Sequence, residues 1–182
     1  MNPNPSAQRF SALSITLHWG MLLLLIAVYA TMEFKGVFPK GSAPRELMKT
    51  THFMLGLGVL ALVGVRLLAR WTGPQPAIVP TPPRWQQRLA TLMHLALYGL
   101  MIALPVLGWL TLSAAGKPIP FFGLQLPALL VENKALADDL KEVHETLATL
   151  GYGLIGAHAL AALAHHYLLR DNTLRLMLPA RR

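Results

Sequence analysis

The sequence predicts an all-α integral membrane protein: a four-helix bundle whose spans run up and down in antiparallel order. Three observations predict it. The 182 residues are 54% hydrophobic, with a mean hydropathy of +0.46, well above the usual soluble composition. Four apolar runs are each close to the ~20 residues that carry a helix across ~30 Å of hydrocarbon. Proline and charge collect in the segments between them. A single membrane domain over residues 1–182 follows, with spans at about 13–32, 51–69, 87–112 and 143–169.

Span one is interrupted only by His18 and small or hydroxyl residues. Glu33-Phe34-Lys35 after it offers no small-residue cleavage site, so the run reads as a span rather than a cleaved signal peptide. Span two ends in a loop, 71–84, holding Pro74, Pro76, Pro80, Pro82 and Pro83, which remove donors and block helix. Span three contains Pro105, which predicts a kink near Met101. The long connection 113–142 carries Pro118, Pro120 and Pro127, then the charged stretch Glu132 to Glu142, which reads as a short surface helix. Each span is helical because lipid offers the backbone no other partners.

Composition also excludes. Without cysteine there are no disulfides, thiolate metal sites or covalent c-type haem. The formal charge of +8 forms no continuous basic stripe, which argues against nucleic acid as partner and for the lipid bilayer. Four spans put both termini and loop 71–84 on one side. That side carries nine basic residues (Arg9, Arg66, Arg70, Arg84, Arg88, Arg170, Arg175, Arg181, Arg182) against seven on the other, which makes it cytoplasmic on the positive-inside rule.

His18, His52, His94, His144 and His158 fall in or beside the spans, where ionisable groups are costly. His144 and His158 are 14 residues apart, so they share a face and lie ~21 Å apart along the axis. Gly151 is midway, leaving room for a flat cofactor or for close helix packing. Span direction converts position into depth: His52 is level with His144 near the outer surface, and His18 with His158 toward the cytoplasm. Two imidazoles on facing helices are what bis-histidine haem ligation requires. Zinc would want three or four converging ligands, with carboxylate or thiolate help. His94 also lies in the inner half, and depth alone leaves it a rival to His18 as partner of His158. Arg66, 14 residues after His52, either pairs with a haem propionate or snorkels to the surface.

The segments His18-Trp19, YATMEFKGVFP (Tyr29 to Pro39), HETLATLGY (His144 to Tyr152) and HALAALAHHYLLRDNTLRLMLP (His158 to Pro179) resemble the bacterial di-haem cytochrome b561 family, and within it the superoxide oxidase branch. The resemblance runs along nearly the whole chain. It implies two haems b, with iron held by His18 and His158 at one level and by His52 and His144 at the other, and that His94 is not a ligand. It implies a multi-pass inner-membrane oxidoreductase that takes electrons from superoxide at the periplasmic face, releases oxygen and reduces ubiquinone. Outer-sphere transfer needs no catalytic side chain. Lys35, Lys40, Arg45, Lys49 and Lys117 either steer the anion or form a solvated loop. His165, seven residues after His158, looks like part of a quinone site, with Arg84 nearby in the proline loop; the bland alternative for His165, and more so for His166, is a helix end at the lipid interface. Thr81 stands where the resemblance leads one to expect lysine. The alternative function is a cytochrome b electron-transfer subunit serving a partner dehydrogenase or hydrogenase, and a homo-oligomer fits either function.

Overall fold

A computed structural model of the protein describes residues 9–179; Arg181 and Arg182, counted in the charge bias, lie outside them. Four long helices dominate: α1 (Ala12–Phe34), α2 (Ala43–Thr72), α3 (Arg84–Ala114) and α4 (Lys134–Tyr167), followed by a single turn, α5 (Thr173–Leu176). All four long helices are long and apolar enough to cross a membrane. Their starts follow local chemistry. Ser11 caps α1 by accepting the Ser14 N–H at 3.1 Å, Pro44 sits in the first turn of α2, Pro83 precedes α3, and the Asn133 side chain accepts the Leu136 N–H at 3.1 Å to open α4. Breaks follow Gly73 after α2 and a 3-10 turn, Lys35–Val37, after α1.

Consecutive helices pack side by side as antiparallel neighbours: α1 on α2, α2 on α3 and α3 on α4. The ring closes between α1 and α4 through side chains. Tyr29 donates its hydroxyl to the Ala148 carbonyl at 2.9 Å, and Tyr152 donates to Glu33 Oε1 at 2.6 Å. Many large apolar residues, such as Leu23, Leu92 and Leu160, face outward, the expected arrangement where the solvent is lipid. One buried cluster, Met21, Val59, Val63 and Met101, lies in the middle of the bundle. A second, Leu57, Leu112 and Ile119, seals the end away from the termini.

Two features of connection 113–142 are absent from the sequence expectations. Ile119–Phe121 (β1) and Leu124–Leu126 (β2) form a small antiparallel hairpin, turned by Phe122 and Gly123 at φ 46° and 88°. It lies against α2 and α3, and Trp109 donates its indole N–H to the Pro127 carbonyl at 3.0 Å. The charged stretch after it is no separate surface helix: from Lys134 onward it forms the first turns of α4, because Asn133 starts the helix there and nothing breaks it before Tyr167. Helix α3 likewise runs through Pro105 without interruption.

Candidate cofactor site

The facing helices bring histidines together at two levels. His52 of α2 and His144 of α4 have ring centroids 6.2 Å apart; His18 of α1 and His158 of α4 are also 6.2 Å apart. A metal bound by an imidazole nitrogen sits about 2 Å from it, with the ring centroid roughly 1 Å further back, so two trans imidazoles on one ion have centroids roughly 6 Å apart. Both pairs meet that requirement. The rings border one cavity of about 590 Å³ that runs past the Met21 cluster from one level to the other. Its wall is apolar along most of its length, and Gly56, one turn from His52, lines it with nothing within 4 Å of where a Cβ would stand. Two rings 6.2 Å apart beside an open apolar cavity suit a planar group held between them.

The remaining nitrogens bear on the same question. His52 Nδ1 lies 3.1 Å from the Val28 carbonyl oxygen and 3.2 Å from the Thr31 hydroxyl, which itself donates to that carbonyl at 2.6 Å. The carbonyl can only accept, so Nδ1 carries the proton and Nε2 is left with a free lone pair, the state a metal ligand needs. His144 Nδ1 is buried without a hydrogen-bond partner, against the bare face of Gly108. At the other level, Arg66 Nη2 lies 2.7 Å from His18 Nδ1, with its guanidinium 5.7 Å from the centre of the Tyr98 ring. Arg66 therefore points into the cavity rather than out to the surface. His94 lies 5.6 Å from His158, centroid to centroid, closer than either matched pair. Among the described residues no group of three or more His, Cys, Asp or Glu is placed to hold a metal ion.

A family model described as prokaryotic cytochrome b561 matches residues 9–180. The chain belongs to the prokaryotic cytochrome b561 family. Cytochrome b561 homolog 1 of Escherichia coli K12 is 44% identical, covering 96% of this chain and 99% of the relative. The probable superoxide oxidase CybB of Yersinia pestis is 42% identical over 96% of this chain and 98% of its own length. Cytochrome b561 homolog 2 of Escherichia coli K12 is 33% identical over 94% and 92%. The protein is thus a multi-pass membrane cytochrome of an oxidoreductase family that binds haem b and transfers electrons in the membrane.

Beyond the histidine levels, the cytochrome's ends divide the other predicted residues. Lys35, Lys49 and Lys117 line the cavity mouth beside His52 and His144, whereas Lys40 and Arg45 do not. Arg45 instead donates to the carbonyls of Lys35 and Phe38, at 3.2 and 3.0 Å, holding the turn after α1. Lys141, which the sequence left unassigned, joins the mouth because α4 begins early; Glu33 and Glu145 also line it. Gly151 both lines the cavity and lies close to a neighbouring helix: a Cβ there would collide with the Tyr29 hydroxyl. At the opposite end, Arg84 opens α3 and is exposed, while His165 is paired with Asp171, to which the sequence assigned no role.

Proposed function

We propose that this cytochrome carries two haems b, one between His18 and His158 and one between His52 and His144, and oxidises superoxide to oxygen while reducing ubiquinone. The supporting observation is the equal 6.2 Å spacing of the two histidine pairs at opposite ends of one cavity. His94, whose ring lies 5.6 Å from that of His158, stays outside the ligand set, as the resemblance to the family implies. Haem, when bound, would supply a one-electron carrier, and with a histidine of this chain on each side of it the chemistry would be outer-sphere.

The side chains do the rest. His52 is oriented by Val28, which fixes the nitrogen it presents to the cavity. Lys35, Lys49, Lys117 and Lys141 at the mouth raise the local concentration of a small anion, with Glu33 and Glu145 limiting the excess. His165, with Arg84 at the start of α3 on the same end of the bundle, hydrogen-bonds and protonates the quinone. The termini are cytoplasmic in the inner membrane, so anion and quinone meet opposite faces. The 42% identical relative named a probable superoxide oxidase supports the donor.

The test is anaerobic stopped-flow mixing of the oxidised protein with superoxide, following the haem absorbance with and without a ubiquinone analogue. Reduction near the diffusion limit, reversed only when quinone is present, is the expected result. Slow reduction by superoxide would instead favour an electron-transfer subunit for a partner dehydrogenase or hydrogenase.

A further inference from the structure

Just past α4 the chain folds back on itself. Arg170 takes a left-handed φ of 56°, unusual for a residue other than glycine, and this turn returns Asp171 to the last turns of α4. There the Asp171 N–H donates to the His165 carbonyl at 3.1 Å, Oδ1 accepts the Thr173 N–H at 2.9 Å, and Oδ2 lies 2.5 Å from His165 Nδ1. Asp171 is only 5% exposed. Burial by itself would raise its carboxyl, but the hydrogen bonds from His165 and from the Thr173 N–H outweigh it and hold the group below the ordinary aspartate range. A buried carboxylate is thereby kept against one edge of His165.

The next residue ties this turn to the proline loop. Asn172 accepts the Val79 N–H on Oδ1 at 2.8 Å, donates its own N–H to the Val79 carbonyl at 3.2 Å, and donates Nδ2 to the Ala77 carbonyl at 3.3 Å. Trp19 of α1 donates to the Met177 carbonyl at 2.8 Å, closing the same end from the other side. The carboxylate, the imidazole and the loop that would cover a ligand are therefore built as one unit. An acid against Nδ1 makes Nδ1 the donor and turns Nε2 outward, the arrangement that orients a catalytic imidazole and stabilises it when it carries a second proton.

We propose, resting on ubiquinone as the acceptor, that Asp171 is a positioning residue that makes His165 the proton donor to the reduced quinone. The balance is two superoxide, one quinone and two protons giving two oxygen and one quinol. One N–H bond of His165 breaks at Nε2 as an O–H bond forms at one quinone carbonyl oxygen, water returns the proton to the ring, whose side chain is 21% exposed, and water supplies the second proton to the other carbonyl oxygen.

Asp171→Asn preserves the shape of the side chain and removes its charge. In the haem-loaded protein, chemically reduced and mixed anaerobically with a short-chain ubiquinone analogue, haem reoxidation should slow about 10-fold or more, with a larger solvent deuterium isotope effect. Equilibrium binding of the analogue, the thermal midpoint and the rate of haem reduction by superoxide should match the native protein, and Asp171→Glu should recover part of the rate. Native-like reoxidation in Asp171→Asn overturns the proposal, as does slowing that comes with weakened analogue binding and a lowered midpoint, which would mark a structural role. If Asp171→Asn does not accumulate with haem, Asp171→Glu carries the test: an unchanged isotope effect and rate overturn it. Failure of the analogue to reoxidise the native protein would remove quinone as the acceptor, a result distinct from a native-like variant.

Discussion

His52 Nδ1 and the Val28 carbonyl oxygen stand 3.1 Å apart, across the α1–α2 contact, so the ring that faces the cavity from α2 is oriented by the backbone of α1. Thr31 competes for the same carbonyl at 2.6 Å. Replacing it should therefore strengthen the His52 bond and enrich the ring in electron density. Thr31→Val is expected to retain full haem content and lower one haem potential by on the order of 20 mV, under half a kcal/mol for one electron. A spectroelectrochemical titration checks this, and an upward shift would contradict the assigned tautomer.

His18 and His94 both approach His158, and the ligand assignment separates them sharply. His18→Leu should reduce haem content from two per chain to one in a pyridine haemochromogen assay, as should His52→Leu. His94→Leu should retain two. Loss of a haem in His94→Leu with retention in His18→Leu would reverse the assignment.

Gly151 and Tyr29 form the packed part of the α1–α4 seam. A methyl group at 151 collides with the Tyr29 hydroxyl, which is held between the Ala148 carbonyl and the Tyr152 ring, 4.4 Å from its own. Gly151→Ala should destabilise the protein by roughly 1–3 kcal/mol through overpacking and the lost hydrogen bond. Because the clash is with the hydroxyl, Gly151→Ala combined with Tyr29→Phe should cost less than the sum of the two single changes. Thermal midpoints of the four proteins in one detergent measure that coupling, and simple additivity would count against the contact.

These cases show where sequence carried information and where it stopped. Helical rise turns residue spacing into depth, so the 14 residues between His144 and His158 were enough to define two levels. Depth says nothing about lateral order, and packing brings both His18 and His94 close to His158, so the haem-content assay is what separates them. Gly151 keeps both of its meanings in three dimensions, lining the cavity while Tyr29 packs against it from another helix. Asp171 was invisible for a different reason: six residues beyond His165 it is off the helix, and only the left-handed turn at Arg170 brings it back. The hairpin at 119–126 is too short for periodicity to register. Lys141 joined the cavity mouth only because Asn133 starts α4 well before its apolar part.

The basic residues near the mouth are not equivalent, and superoxide kinetics should rank them. Lys49 is tied to Glu46 at 2.7 Å, and Lys141 to Glu145 at 3.4 Å. Lys117 lines the cavity with no ion pair among the described residues, whereas Lys40 does not line it. Lys117→Gln should lower the second-order rate of haem reduction by superoxide about 2- to 5-fold at low ionic strength, and the difference should fade as salt screens it. Lys40→Gln should have a smaller effect. Equal losses in both variants would mean that net charge, not the charge at the mouth, governs encounter.

Arg66 gives the most direct test at the other histidine level. Its Nη2 donates to His18 Nδ1 at 2.7 Å, which requires a lone pair on that nitrogen. A His18 that binds iron through Nε2 carries its proton on Nδ1, and a guanidinium has nothing with which to accept it. The two states are incompatible, so binding of haem should release Arg66 from His18 while leaving its permanent charge inside the cavity, where propionate carboxylates are the natural partners. A cation at that distance favours the reduced, less positive iron. Arg66→Met should therefore lower the potential of one haem by on the order of 50 mV, roughly 1 kcal/mol for one electron, and leave the other nearly unchanged. Redox titration with the two haems resolved checks this. A potential that rises, or that shifts equally at both haems, would show that Arg66 does not act on the haem held by His18.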